Sequence, residues 1–287
     1  MNIVIQNLQK AEVFASIFQH IKLFTEHITL HFDKHRLYIQ TMDSSRVSII
    51  DIVIPSEWFD TYEHTATSSI PLGLHAQNMY KILSTREKGQ EINIVFSEEE
   101  SDKLFLHFTC GQQNVVADLS GNAVTTTTSS SSSSSKTRML FDKHFEMPLM
   151  EIDFELMNVP EMESQGEFSI LSGTFSNLIN QLRLFGDTLE VECSEEEISL
   201  HSLSVETGKM TVKIDIDDLT EFSINDGEVI RMSFSLVHLH NICMYHKLSS
   251  EIVVKLTDSY PIHLAFDLGE GASIAFYLAP KINDNYS

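Results

Sequence analysis

The chain holds 13 histidines, and imidazoles gathered at one place could bind a transition-metal ion. His238, His240 and His246 fall around one expected helix, and His31 lies near His35. Along a helix, however, His240 is turned about 200° from His238. The three do not converge without ligands from elsewhere, so no metal is expected. Serine, histidine and aspartate are plentiful enough for a nucleophilic relay, which needs a base within hydrogen-bond reach of the hydroxyl; nothing in the sequence gathers them. Thr207-Gly208-Lys209-Met210 lacks the upstream glycine and the hydroxyl of a phosphate-binding loop, and H-E-x-x-H, C-x-x-C and G-x-S-x-G do not occur. The reading is of a protein that is not an enzyme and carries no cofactor. Its three cysteines, Cys110, Cys193 and Cys243, are far apart and odd in number, as for free structural thiols in a reducing compartment.

What remains is the chemistry of binding. Gln40-Thr41-Met42-Asp43-Ser44-Ser45-Arg46-Val47 crowds polar turn residues between two strands. Tyr277-Leu278-Ala279-Pro280-Lys281-Ile282 ends a strand with a proline and an apolar pair. With Met157-Asn158-Val159-Pro160, these stretches supply the apolar groups of a peptide-binding groove.

The elements that must position them fall into two similar halves. In the first, a strand over Asn2 to Gln6 precedes a helix from about Leu8 to Thr25, with Val13, Phe14, Ile17, Phe18, Ile21 and Phe24 on one face. HITLHFD, LYIQTMD and SIIDIVIP read as an antiparallel meander, followed by a second helix over His75 to Thr85. EINIVF and KLFLHFT are two further strands joined by the acidic turn SEEESD. The order recurs after residue 165: a helix in TFSNLINQLRLFG, then TLEVECSEE, ISLHSLS and MTVKIDI. Asn225-Asp226-Gly227 is a hairpin signal before VIRMSF; a helix over Leu236 to His246 and three closing strands complete the half. Two copies of one α+β unit are therefore expected, over residues 1–147 and 166–287. Residues 148–165 join them. This connecting strap grows out of Phe145 to Glu161, where acidic and apolar residues alternate between Pro148 and Pro160, as in an extended chain with one wet side. The threonine and serine tract between Gly111 and Thr137 has nothing to bury and reads as a disordered surface loop.

With 287 residues and 42 % hydrophobic content, each half can bury a core. The 41 acidic residues against 19 lysines and arginines give a net charge of -22. That balance opposes capture of nucleic acid or anionic membrane by bulk charge. No apolar run approaches the roughly 18 residues of a spanning helix, and the N-terminal residues do not follow signal-peptide order. No membrane association is expected.

Five segments, in order and spread over both halves, resemble the proliferating cell nuclear antigen family of sliding clamps. They are Met42-Asp43-Ser44-Ser45, Ser56-Glu57-Trp58-Phe59-Asp60-Thr61-Tyr62, Lys81-Ile82-Leu83, the strap from Glu146-Met147 to Pro160-Glu161, and Tyr277 to Ile282. The resemblance covers nearly the whole chain apart from the serine tract. It implies the α+β DNA clamp fold: two domains, each with two helices on antiparallel sheets, three subunits closing a six-domain ring around duplex DNA. Such a clamp acts as a polymerase processivity factor and as a scaffold for replication and repair proteins.

The resemblance also implies site residues. The client groove maps onto Met42, Val47, Ile49, Met157, Val159, Pro261, Tyr277, Ala279, Pro280, Lys281 and Ile282. Clients, among them DNA polymerase and the clamp loader, bring a glutamine, an aliphatic residue and two aromatics on a short helical turn. Burying three apolar side chains at about 1.5 to 3 kcal/mol each, less ordering costs, is compatible with micromolar binding. DNA would be met, without sequence preference, by Lys22, Lys81 and Arg183, with Lys10 and Lys247 beside them and His20, His238 and His246 as partial cations. Subunits would join edge to edge through Leu140, Phe141, Lys143 and Phe145 of one copy and Met210, Val212 and Ile214 of the next. Helix positions where the family carries lysine or arginine hold Ser16, Ser84, Asn177, Asn180 and Met244, and the family's modified lysine aligns with Glu195. The thin basic lining keeps a non-ring processivity factor or a checkpoint-clamp-like subunit as the alternative. The family's eukaryotic members work in the nucleus; Lys136-Thr137-Arg138 is too sparse for an import signal, and a cytoplasmic viral replication compartment is the alternative.

Overall fold

The computed structural model describes residues 1–110, 115–117, 123–125, 140–152, 156–159 and 163–282. The expected loop over 111–137 thus lies outside the described residues, except for two short strands. The chain divides into two compact units.

The first unit comprises Met1–Lys22, Glu26–Ile39 and Ile54–Phe154. Strand β1 (Asn2–Ile5) leads into α1 (Leu8–Ile21). The helix begins where the Asn7 side chain accepts from the Gln9 and Lys10 amides, a cap that contributes about 1 kcal/mol. Its apolar stripe buries Ala11, Phe14, Ile17, Phe18 and Ile21. The helix stops there, a turn short of Thr25: Phe24 is buried, but beyond the helix. Next come β2 (His27–Phe32), β3 (Arg36–Met42), β4 (Ser48–Pro55), β5 (Thr61–Glu63), β6 (Ile70–His75) and α2 (Ala76–Leu83). Then follow β7 (Gln90–Val95), β8 (Lys103–Cys110), β9 (Val115–Ala117), β10 (Ala123–Thr125) and β11 (Lys143–Pro148). One sheet runs β11-β8-β7-β1-β5, and β2 lies between β3 and β6. Past β11 the strap stays against the unit through a bridge between Met150 and Gly73, where a Cβ would stand 2.3 Å from the Met150 carbonyl oxygen. Only glycine allows that approach.

The second unit comprises Leu23–Thr25, Gln40–Val53 and Glu155–Ser287. Its elements are β12 (Gly166–Leu171), α3 (Ser172–Leu182), β13 (Thr188–Cys193), β14 (Glu197–Ser204), β15 (Gly208–Asp215), β16 (Glu221–Ile224), β17 (Ile230–Ser235), α4 (Leu236–Cys243), β18 (Glu251–Leu256), β19 (Ile262–Gly269) and β20 (Ala272–Leu278). A 3-10 turn over Met244–Lys247 replaces the last turn of the helix expected to reach His246. One sheet runs β15-β14-β13-β17; in the other, β16, β12, β18, β19, β20 and β4 follow in order. Asn225-Asp226-Gly227 does form a turn, with Gly227 at φ +73. The expected hairpin is absent, because β16 pairs with β12 and β17 with β13.

The two halves repeat one topology. β1 pairs with β5 and β7 as β12 pairs with β16 and β18; β2 pairs with β3 and β6 as β13 pairs with β14 and β17. The helices pack in pairs, α1 beside α2 and α3 beside α4. Among the described residues, no helix is long and apolar enough to cross a membrane.

Candidate client groove and clamp surfaces

In the second unit, register builds the floor of a groove. Ile49 of β4 stands opposite Tyr277 of β20, Tyr277 opposite His263 of β19, and His263 opposite Lys255 of β18. Successive strands thus set four side chains in a row on one face, while their neighbours Ile50, Phe276, Leu264 and Val254 are buried on the other. The Tyr277 and His263 rings lie 4.8 Å apart. Lys255 is held by Glu167 at 3.1 Å. Above this row is a cavity of about 460 Å³ also lined by Asn158, Val159, Ser164, Thr257, Tyr260 and Pro261. Its lining is chiefly apolar with a few polar groups, as in peptide and small-molecule pockets generally.

Ile49, Val159, Pro261 and Tyr277 therefore line the cavity. Met42, Val47, Met157, Ala279 and Pro280 are half-buried outside that lining, and Ile282 is 90 % exposed. The Lys281 ammonium donates to Thr188 Oγ1 at 2.6 Å. Two backbone ties fix the segment after β20: Ala279 N–H donates to Val47 O at 2.9 Å, and Lys281 N–H to Ser233 O at 2.7 Å. Lys255, Thr257, His263, Tyr260 and Ser164 escaped the sequence reading; hairpin register is the signal that could have found Lys255 and His263.

Burial lowers the His263 pKa to about 4, with Lys255 adding to the effect and Glu167 opposing it. Neighbouring Asp43 holds the β3–β4 loop. Its carboxylate accepts from the amides of Ser45, Val47 and Ser48 at 3.1, 2.9 and 2.6 Å and from the Ser45 hydroxyl. Burial raises its pKa, but these hydrogen bonds outweigh it and hold the carboxyl below the usual range. His238 Nε2 lies 3.0 Å from Ser45 Oγ and 3.4 Å from Asp43 Oδ2. This brings serine, histidine and aspartate together, yet not as a relay. The carboxylate bonds the serine directly, and His238 Nδ1 is occupied by Ser235 Oγ at 2.9 Å. A relay needs the carboxylate on Nδ1 to orient the base.

The helix cations are unequal. Lys10 donates to the Trp58 carbonyl at 2.8 Å and lies over that ring, whereas Lys22 sits 3.5 Å from the centre of the Tyr80 ring. Lys81, Arg183 and Lys247 are exposed, and His20 is half-buried. His246 Nδ1 bonds the Cys243 carbonyl at 2.8 Å. Burial, with Arg183 nearby, lowers the pKa of His240, which pairs with Asn180 at 2.7 Å. Burial also pushes the Cys193 and Cys243 thiols up to about 11 and 12, which suppresses thiolate chemistry.

Among the strands that end their sheets in the described residues, with β5, β16 and β17, are β11 in the first unit and β15 in the second. On β11, Phe145 packs on Phe108 at 5.4 Å and Lys143 reaches Glu87 at 3.2 Å. Leu140 and Phe141 precede the strand, Phe141 being 65 % exposed. On β15, Met210 and Val212 are half-buried, and Ile214 turns into its own core at 6 % exposure.

Residues 4–130 match the family model for proliferating cell nuclear antigen, N-terminal domain, and residues 158–281 that for its C-terminal domain. The PCNA family consists of non-enzymatic, DNA-associated clamps. With both domains matched in order and the repeated α+β topology described above, the chain belongs to the proliferating cell nuclear antigen family and has the DNA sliding clamp fold.

Proposed function

We propose that this protein is a homotrimeric sliding clamp that encircles duplex DNA, tethers a polymerase and other replication and repair proteins, and receives them in the groove above Tyr277. One observation carries the ring. By topology β15 is the second-half counterpart of β4, and β20 of β11. Within the chain, β4 pairs with β20. The corresponding pair would be β15 with β11, and among the described residues both strands lie at sheet edges with one side open. A second copy supplies the missing partner head to tail, and such an interface closes into a ring when its rotation permits.

Function then rests on enclosure. Lys81, Arg183 and Lys247 supply exposed positive charge for phosphates despite the net charge of -22. Contacts without base readout allow sliding. The groove offers a chiefly apolar lining for a short turn with aliphatic and aromatic side chains; Lys255 in its floor is paired with Glu167, and His263, kept neutral, adds no charge.

Light scattering at several concentrations tests the ring: the expected mass is three times 32.6 kDa. A stable single copy at high concentration would favour the non-ring processivity factor instead. Retention on circular but not linear DNA, after loading by a clamp loader with nucleotide, tests enclosure.

A further inference from the structure

We propose that Glu26, His27 and His75 form a binding site for a borderline transition-metal dication such as Zn²⁺, clamping β2 to the junction of β6 and α2. His27 opens β2, His75 closes β6, and the two are cross-strand partners. Their Nε2 atoms face each other at 3.2 Å, with ring centroids 4.3 Å apart and planes at 52°. Two imidazole nitrogens on one tetrahedral ion, each about 2.0 to 2.1 Å from it, stand about 3.3 Å apart. The observed separation is therefore that of a chelate.

The third donor is the carboxylate of Glu26. One ligand atom from each of the three residues lies within 4.8 Å of the others. The backbone supports this arrangement independently: β2 and β6 pair from His27↔His75 to Phe32↔Ile70, and Ala76 N–H donates to Glu26 O at 3.0 Å. Little conformational entropy is lost in gathering donors already held by a ladder. Two nitrogens and one carboxylate suit Zn²⁺, Ni²⁺ or Cu²⁺, whereas Ca²⁺ and Mg²⁺ prefer oxygen alone. Glu26 and His27 are exposed and His75 half-buried, so water can complete the coordination.

A second histidine pair supplies the control. His107 and His144 approach across β8 and β11, with Nδ1 atoms 2.7 Å apart. They do not belong to any three-ligand group among the described residues.

The test is calorimetric titration of the full chain with ZnCl₂ in metal-free buffer, paired with thermal melts. Wild type and His144→Gln should bind one ion per chain at this site and melt higher with zinc. His27→Gln and His75→Gln, folded by circular dichroism, should each lose that binding and the thermal gain. Glu26→Gln should weaken it about tenfold. Co²⁺ in place of Zn²⁺ should give the visible absorption of a low-coordinate site in wild type and lose it in His75→Gln. Absence of saturable binding in wild type, or an isotherm unchanged in both histidine variants, overturns the proposal.

Discussion

Gln40 holds Met157 by both of its backbone groups. The amide Nε2 donates to the Met157 carbonyl at 2.9 Å, and Oε1 accepts from the Met157 N–H at 2.6 Å. One side chain, 1 % exposed, thus substitutes for a strand partner and pins the strap beside Val159 of the groove.

Replacing Gln40 with leucine removes that partner while keeping an apolar volume. Stability should fall by about 1 kcal/mol, since Met157 is half-buried and can turn partly to water. Affinity for a client peptide should fall about tenfold through lost preorganisation. Fluorescence anisotropy with a labelled glutamine-aliphatic-aromatic-aromatic peptide, together with amide exchange at Met157 and Val159, measures both. Unchanged exchange would remove the strap from the groove's design.

Lys10 and Lys81 should separate stability from DNA contact. Lys10 is engaged with Trp58, so Lys10→Ala should lower the melting temperature and leave the salt dependence of DNA retention almost unchanged. Lys81→Ala and Arg183→Ala should do the reverse, each reducing the slope of log retention against log salt, because exposed cations release counterions from phosphate. Equal slopes in all three variants would sink this division.

His263 should make the second unit sensitive to acid. The unfolded chain takes up a proton near the ordinary imidazole value of about 6.5, whereas the folded chain resists until about pH 4. The histidine's contribution is full above the first value and declines as pH falls toward the second. His263→Phe, which keeps a ring beside Tyr277, should lose less melting temperature than wild type between pH 7 and 4. Parallel curves for the two proteins would refute the assignment.

Asp43→Asn should loosen the β3–β4 loop. Its Oδ1 can still accept from Val47 and Ser48, but a new amide would face the Ser45 N–H that Oδ2 now accepts. Donor facing donor beside a buried group costs about 1 to 3 kcal/mol. Chemical denaturation gives the loss directly, and a change below a few tenths would show that the loop is held otherwise.

Val212→Glu tests the edge of β15. The residue is half-buried at the free side of its sheet, so a charge there should leave the fold intact and block strand addition. Light scattering should then report 32.6 kDa. A trimer that survives the change would place the interface elsewhere.

Local chemistry made much of this protein legible in advance. Phe14, Ile17, Phe18 and Ile21 recur at helical spacing and are buried as that spacing requires. The strands at β4 and β20, the repeat of element order, and the free thiols follow from side-chain type and element order alone. Partner choice does not. The turn at Asn225-Asp226-Gly227 encodes a reversal of direction but not which sheet each strand joins. Phe24 continues the apolar stripe of α1, yet leaves the helix to lie 5.6 Å from Phe276. Gln40 meets Met157 across 117 positions, and His27 meets His75 across 48. Such contacts depend on strand register and chain path, which are set by burying the whole unit at once and leave no mark on any short window. Residue types therefore determined which surfaces could form, while the tertiary structure decided which residues share them.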